Sequence, residues 1–172
     1  MSLRLAIIEA TALAHNLPSG TTVLARTGRA KLIGNPGTPT WAGKDVVLIG
    51  WAFRRSDFVP CRALANDEIS ALIRSGGAWA LNSLWGQYLL CWSDPAGQTW
   101  LLRSPVDGPP LFHAASPGGA CAFTDLALAR CFGFARAGPN PRAVDAALRF
   151  PFLRTPVTEL EGVREILPGE IV

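Results

Sequence analysis

Short apolar runs separated by turn-forming residues dominate the hydrophobic pattern of this chain. The runs that predict β-strands are "LRLAIIEA" (3–10), "TTVLART" (21–27), "VVLIGWAF" (46–53), "QYLLCWS" (87–93), "QTWLLRS" (98–104), "LFHAA" (111–115) and "ACAFTD" (120–125). Gly, Pro, Asn or Asp bounds each run, as is typical of strands joined by turns. The tetrapeptide 94–97, Asp-Pro-Ala-Gly, predicts an antiparallel hairpin between 87–93 and 98–104. Both faces of 87–93 are apolar, which indicates a strand in a sheet covered on both sides.

Apolar residues recur at helical spacing in a few places. These stretches are 66–77, 140–150 and, over a shorter length, 124–134. The first is predicted to begin with Asn66 or Asp67 as its N-cap, and the second with Asn140. Many antiparallel strands combined with few helices predict one layered α+β domain.

Composition and charge narrow the class of protein. The chain has 172 residues, of which 49% are apolar and 17% charged, enough for one globular domain with a substantial core. The net charge of +3 is scattered, without a Lys or Arg run, so nucleic acid is not expected as a partner. No signal peptide or membrane span is visible, which favours a cytoplasmic protein without a membrane partner.

Cysteine and histidine spacing predicts no metal site. The four cysteines are far apart with no C-x-x-C pair, and the two histidines lie in no metal-ligand spacing. We therefore expect mostly buried, reduced thiols.

Segments in the second half of the chain resemble a known family. "LNSLWGQYLLCWSD" (81–94) is similar to the L-x-x-L-x-G-x-aromatic…D run of class II glutamine amidotransferase domains, specifically the amino-terminal domain of asparagine synthetases. "LLRSPVDGPPLFHA" (101–114) resembles the family's R-D-x-x-G-x-x-P-L-Y run, and "VTELEGVREILPGEIV" (157–172) its T-x-F-x-G-I-x-x-L-x-P-G segment. The first half of the chain fits the family more loosely.

The resemblance implies a fold and a domain organisation. The family fold is an N-terminal-nucleophile (Ntn) α/β/β/α sandwich of two mainly antiparallel sheets between helices. Residues 1–157 would form this domain, and 158–172 would lead toward an ATP-binding synthetase domain that these residues do not include. ATP and Mg²⁺ are expected in that synthetase domain, and no cofactor is expected in this one.

The family's nucleophile is missing at the start of the chain. Relatives use an amino-terminal cysteine whose thiol attacks glutamine while its own α-amine acts as base. This chain begins Met1-Ser2, and a Ser2 exposed by removal of the methionine would be a weaker nucleophile than a thiol.

The rest of the pocket that the resemblance implies is altered as well. The family's Asn-Gly pair, which holds the oxyanion, corresponds to Ile49 and Gly50, and isoleucine offers no donor. The family's Asp that binds the substrate's α-amine corresponds to Asn66, whereas Glu68 is retained. An uncharged Asn cannot form that ion pair.

Arginines are the remaining candidates for binding the substrate carboxylate. Arg26 and Arg29 are both possible by position, and the sequence does not choose between them. Arg103 is a further candidate, although in "RSPVDGPPLF" it is more typical of a salt-bridged sheet residue, with Asp107-Gly108 forming a β-turn.

These losses predict a degenerate glutaminase domain. Within the family, degenerate amino-terminal domains occur in β-lactam synthetases and lasso-peptide cyclases, and a lasso-peptide cyclase is the nearest resemblance. We expect a non-catalytic scaffold or binding domain of an ATP-dependent amide-bond-forming enzyme. The alternatives are an active glutaminase domain supplying ammonia for asparagine synthesis, and a free-standing peptide- or protein-binding module.

The expected partners follow from that interpretation. They are the synthetase domain or a separately encoded equivalent, a peptide substrate, or a second copy of the chain. The apolar residues expected to form an exposed contact patch are Phe150, Phe152, Val163, Ile166 and Leu167. The tryptophans, being scattered over predicted strands, are expected to pack in the core or between domains.

Overall fold

A computed structural model describes residues 4–10, 17–106, 109–116, 119–134 and 138–172. Ser2, His15 and the turn predicted at Asp107-Gly108 lie outside these ranges. The strands are β1 (Leu5–Ala10), β2 (Thr22–Thr27), β3 (Ala30–Gly34), β4 (Thr40–Ala42), β5 (Val46–Arg54), β6 (Leu84–Ser93), β7 (Thr99–Arg103), β8 (Leu111–Ser116), β9 (Gly119–Phe123) and β10 (Val163–Ile166). The helices are α1 (Asn66–Arg74), α2 (Ala78–Ser83), α3 (Leu126–Cys131) and α4 (Pro141–Arg149).

The strands form two antiparallel sheets. One sheet has six strands in the order β10-β8-β9-β1-β3-β2, and the other has four in the order β4-β5-β6-β7. The predicted hairpin is confirmed, because β6 pairs with β7 and places Leu89 opposite Arg103. In its turn the Gly97 N–H donates to the Asp94 carbonyl at 2.9 Å.

The two sheets and the helices on their outer faces form four layers, and an apolar cluster fills each of the three interfaces between the layers. The cluster between the sheets draws side chains from nine of the strands, among them Leu5, Leu32, Ile49, Leu89 and Ile166. A second cluster joins the outer face of the four-stranded sheet to α1 and α2, and a third joins the outer face of the six-stranded sheet to α3. The layered α+β domain predicted from the sequence pattern is confirmed, with the α/β/β/α order of layers that the resemblance implies.

The apolar character of β6 has the predicted cause. Leu89 and Cys91 face the other sheet, whereas Leu90 and Trp92 face the helices. Because successive side chains of a strand point to opposite faces, a strand covered on both sides must be apolar at every position.

The predicted helix starts are half right. The residue that caps α1 is Ala65, so the predicted Asn66 or Asp67 cap is wrong. The Glu68 carboxylate accepts the Ala65 N–H at 2.8 Å, which is the glutamate half of a capping box, whereas the alanine side chain has no acceptor for the other half. The predicted Asn140 cap of α4 is confirmed, with its side-chain oxygen accepting the Ala143 N–H at 3.3 Å.

The carboxyl-terminal segment forms main-chain hydrogen bonds with both sheets. It forms β10 at the edge of the six-stranded sheet, and then Val172 and Leu101 exchange both main-chain hydrogen bonds at the β7 edge of the other sheet. Val163 and Ile166 are buried in two different clusters, so their predicted exposure is wrong. The reason is that β10 is a covered strand, whose alternate side chains enter the cores on its two sides. Phe150 and Phe152 are exposed, as predicted.

None of the helices in the described ranges is long and apolar enough to cross a membrane.

Candidate ligand-binding pocket

A pocket of about 610 Å³ opens beside Gly50 at one end of the sandwich. Its lining comes from the loop after β3, from adjacent positions of β5 and β6, and from the loop before β8: Asn35, Pro36, Gly37, Thr38, Pro39, Ile49, Gly50, Trp51, Gln87, Pro109 and Pro110. The start of β1 borders it, because the Arg4 N–H donates to the Asn35 side-chain oxygen at 3.1 Å.

A pair of glycines sets the backbone beside the pocket. Gly50 has a φ of 93° and Gly86 a φ of 117°, a region that favours glycine. A Cβ on Gly50 would lie 2.4 Å from the Gln87 carbonyl oxygen, so β5 and β6 approach too closely here for any side chain. Glycine at position 50 is therefore required by the fold, whether or not it binds a ligand.

Neither member of the expected oxyanion pair has a donor to offer. The Ile49 side chain is 1% exposed and packs in the cluster between the sheets. The Gly50 N–H donates to the Pro39 carbonyl at 2.8 Å. The donors that an oxyanion needs are therefore missing at one position and engaged at the other.

The described lining carries no ionisable side chain. Its polar side chains belong to Asn35, Thr38 and Gln87, and the Thr38 hydroxyl is already bound to the Asn35 carbonyl at 2.8 Å. The Gln87 carboxamide has no hydrogen-bond partner within the described part of the chain. It is the polar group most available to a ligand.

An aromatic surface continues from the pocket along the same sheet face. We call it the aromatic shelf, and its residues are Trp51, Phe53, Phe58 and Trp85. Phe53 stacks on Trp85 with ring centroids 4.9 Å apart, and Phe58 meets Trp85 edge-on at 6.3 Å. Trp92 is buried, as expected, whereas Trp51 is 61% exposed and does not pack in a core, so for Trp51 packing between domains stays a prediction.

Strand alternation explains the position of this shelf. Residues two apart share a face of a strand, so Trp51 and Phe53 continue the row of Val47 and Ile49 that faces the other sheet. Beyond Gly50 this row emerges from the sandwich and becomes a surface. The sequence carries one signal for it, since Gly50 and Gly86 interrupt both apolar strands near the point where exposure begins.

The structure places Asn66 and Glu68 away from the pocket lining. Both lie in the first turn of α1, which packs on the outer face of the four-stranded sheet. Arg54 donates to both Glu68 oxygens, at 2.8 and 2.9 Å, and this hydrogen bonding lowers the pKa of Glu68. Asn66 is exposed, and its carbonyl accepts the Ser70 hydroxyl. Glu68 therefore stabilises the helix start and the end of β5.

Arg26 and Arg29 do not line the pocket either. Arg26 lies on β2 opposite Lys31, and Arg29 lies in the turn between β2 and β3. Asn35, which does line the pocket, follows the opposite end of β3.

Arg103 is the salt-bridged sheet residue that the sequence favoured. It is 1% exposed, and its Nη1 donates to Glu165 Oε1 at 2.8 Å and to the Ile166 carbonyl at 2.6 Å. Arg154 also donates to Glu165, at 2.6 Å. Burial acts to raise the pKa of Glu165, but the hydrogen bonds from Arg154 and Arg103 outweigh it and the pKa is lowered. These charges join β7 to β10 and leave Arg103 enclosed by the protein.

None of the four cysteines lies in the described lining of the pocket, nor does His113, and Cys131 is the exposed cysteine among the four. Cys61, Cys91 and Cys121 are buried, and burial raises the pKa of Cys121 to about 12. Burial and the nearby Arg164 lower the pKa of His113. No cluster of three or more His, Cys, Asp or Glu in the described ranges is arranged to hold a metal ion.

A second, wider cavity of about 810 Å³ lies between α4 and the segment that follows it. No residue of α4 is buried. The large apolar side chains exposed in the lining of this cavity are Phe150, Phe152, Leu153 and Val157. Together with Leu148, which is exposed on α4 outside the lining, we call them the α4 surface.

Comparison with models of protein families and with curated proteins gives no match to this chain.

Proposed function

We propose that this chain is a non-catalytic glutaminase-like domain of an asparagine synthetase-type, ATP-dependent amide-bond-forming enzyme, similar to a lasso-peptide cyclase. Its role there is that of a scaffold or binding domain. The observation that carries the proposal is the arrangement at Ile49 and Gly50, where one oxyanion donor is replaced by a buried isoleucine and the other is bound to Pro39. Loss of a single such donor costs about 3 kcal/mol of transition-state stabilisation in an acyl-transfer enzyme.

The chemistry of the pocket also disfavours glutamine as a ligand. Free glutamine carries a positive α-amine and a negative α-carboxylate, and each needs an opposite charge or several hydrogen bonds once it leaves water. The described lining supplies no charged side chain, and the candidates Asn66, Arg26 and Arg29 lie outside it. The described lining therefore lacks the groups that would bind and hydrolyse this substrate.

The α4 surface supports the scaffold role. Contiguous exposed apolar side chains usually mark an interaction site, and Phe152 is 99% exposed. In this proposal the surface contacts the synthetase domain, fused or separately encoded. ATP and Mg²⁺ would bind to that partner, where the carboxylate is activated.

A glutaminase assay tests the absence of catalysis. The purified chain, with removal of Met1 checked by mass spectrometry, is incubated with glutamine and ammonia is measured by a coupled assay. We expect no release above buffer. Ammonia release that disappears in Ser2→Ala would overturn the proposal in favour of an active glutaminase.

The contact with the synthetase is tested in the complete enzyme. We expect Phe152→Asp to reduce amide-bond formation without changing thermal stability, since this side chain makes little contact within the domain. The matched control is Val23→Asp on β2, the edge strand opposite β10. Equal activity of the two variants would contradict a role for the α4 surface.

A further inference from the structure

The pocket at Gly50 and the aromatic shelf form one continuous site. Trp51 belongs to both, since it lines the pocket and begins the exposed row of aromatic rings. The pocket volume of about 610 Å³ falls within the usual range for ligand sites, roughly 300 to 1,000 Å³. From these features and the chemistry of the lining, we propose that this site binds an extended, uncharged peptide segment that carries proline or aromatic side chains.

Charge is the first argument for an uncharged ligand. The described lining has no ionisable side chain. The nearest arginines on β5 and after it are engaged, with Arg54 bound to Glu68 and the Arg55 Nε donating to the Leu84 carbonyl at 3.3 Å. Among the described residues of the lining, a charged ligand would find no opposite charge in exchange for its lost hydration, which is unfavourable.

The polar groups of the site match a peptide main chain. Gln87 lies directly opposite Trp51 in the β5–β6 register, so a carboxamide stands beside the exposed ring. A carboxamide both donates and accepts hydrogen bonds, as a peptide group does. Asn35 brings a second carboxamide to the lining, and because its oxygen already accepts the Arg4 N–H at 3.1 Å, it is the NH₂ group that it offers to a ligand.

The small number of such groups favours a peptide over a sugar. Every hydroxyl of a sugar ring needs a partner when it is desolvated, and this lining offers few polar side chains. A proline-containing segment has no N–H at each proline and is already extended, so it needs fewer partners and loses less entropy on binding. Grooves lined by aromatic rings are a recurrent way of binding such segments.

The inference rests on the proposed function in one respect, namely that glutamine does not occupy the pocket. It does not require the synthetase partner, and it can be tested on this chain alone.

The test is titration calorimetry with a defined probe, the acetylated and amidated peptide Pro-Pro-Phe-Pro-Pro. We expect saturable binding to the wild-type chain that Trp51→Ala weakens by about tenfold or more, the size of effect seen when a central aromatic contact is removed. Trp51→Phe, which keeps an aromatic ring, should restore part of the affinity, and Gln87→Ala should weaken binding by a smaller factor. Thermal unfolding of each variant verifies that the fold is intact.

Phe152→Ala is the matched control, because it removes an exposed aromatic ring from the α4 surface instead. It should leave the affinity unchanged. Absence of peptide binding, or an equal loss in Phe152→Ala and Trp51→Ala, would overturn the inference.

Further titrations separate the alternatives. Maltotriose binding in place of the peptide would overturn the peptide assignment in favour of a sugar site. Replacing the probe's phenylalanine by glutamate should abolish binding, and equal affinity for both peptides would contradict the charge argument. Ammonia release from glutamine would overturn the proposed function whatever the peptide result, whereas failure of peptide binding without ammonia release overturns this inference alone.

Discussion

On the face of the four-stranded sheet that is turned toward the other sheet, a charged residue is buried at one place and an aromatic residue is exposed at another. At β7, Arg103 is a charged side chain that is 1% exposed, and at the end of β5, Trp51 is an apolar side chain that is 61% exposed. The first is covered because the carboxyl-terminal segment passes over it and brings Glu165 and the Ile166 carbonyl. No described segment of the chain covers Trp51 in the same way.

The difference shows that whether a residue is buried depends more on which other segment of the chain covers it than on its residue type. A buried charge is tolerated only when it is paired and hydrogen-bonded. Arg103 meets this condition through Glu165 and the Ile166 carbonyl, and we call the region where β10 and the last residues cover β7 the sealed edge. An exposed aromatic surface is tolerated for stability, and it is often retained for binding. We therefore expect substitutions at the sealed edge to change stability, and substitutions at the shelf to change binding.

The largest effect is expected from Ile166→Asp. This side chain is wholly buried between the sheets, and an aspartate there would be desolvated without a partner, so we expect a loss of at least about 4 kcal/mol in the free energy of unfolding. Urea denaturation measures it. Leu148→Asp makes the same kind of change on the α4 surface and should stay within about 0.5 kcal/mol of wild type. A folded, stable Ile166→Asp variant would show that β10 does not close the sandwich.

Arg103→Ala should have the next largest effect. Removing one member of a buried ion pair costs about 3 kcal/mol, because its partner groups lose their bonds. Arg154→Ala removes the other arginine bound to Glu165, but that side chain is largely exposed, so its loss should be about 1 kcal/mol or less. Urea denaturation of both variants shows how much burial adds to the stability that an arginine contributes through Glu165. Equal losses in Arg103→Ala and Arg154→Ala would contradict the view that burial makes Arg103 the more important of the two.

The pH dependence of stability should follow Glu165. Its pKa is lowered in the folded state from an ordinary value of 4.5, so its contribution is present above that value and is lost as the pH falls through the folded pKa. The free energy of unfolding of the wild type should therefore fall in acid, and Glu165→Gln should show a shallower fall between roughly pH 5 and pH 3. Exposed Glu161→Gln is the control and should keep the wild-type slope. Identical slopes for all three proteins would show that Glu165 is not a source of the acid sensitivity.

Trp51→Ala should have the smallest effect on stability. Because most of the ring is in water, we expect a change of less than about 1 kcal/mol in the free energy of unfolding. Trp92→Ala is the buried counterpart and should cost about 3 kcal/mol or more. If Trp51→Ala proved as damaging as Trp92→Ala, the shelf would be part of the core and not a binding surface.

The sequence predicted the sheets better than the site. Local alternation and the Asp94 to Gly97 turn were enough to place β6 and β7 as neighbours. Ile49 and Gly50 were also singled out, and both line the pocket. Asn66 and Glu68 were also singled out, by similarity to a family motif. They lie away from the pocket, because α1, which they begin, packs on the outer face of the four-stranded sheet.

Other lining residues could not be predicted from local patterns. Gln87 lies on β6 and Pro110 precedes β8, and the two residues line one pocket only because the two sheets that hold these strands pack together. The exposure of Trp51 was missed as well, because its strand continues an apolar row and the interrupting glycines, Gly50 and Gly86, do not by themselves show that the opposite sheet stops there. The start of α1 was missed by one residue because its cap, Ala65, has no capping side chain, so no residue-type signal marks the position.

The sequence by itself determined the fold class, the hairpin and the two-sided burial of β6, because these depend on side-chain periodicity and turn chemistry within a few residues. The tertiary structure alone decided that Ile166 is buried, that Arg103 is enclosed and that Trp51 is exposed. The physical reason is that burial depends on which distant segment lies over a residue. Here the chain's last residues cross from one sheet to the other and seal the β7 edge, while the row of aromatic rings beyond Gly50 extends past the opposite sheet.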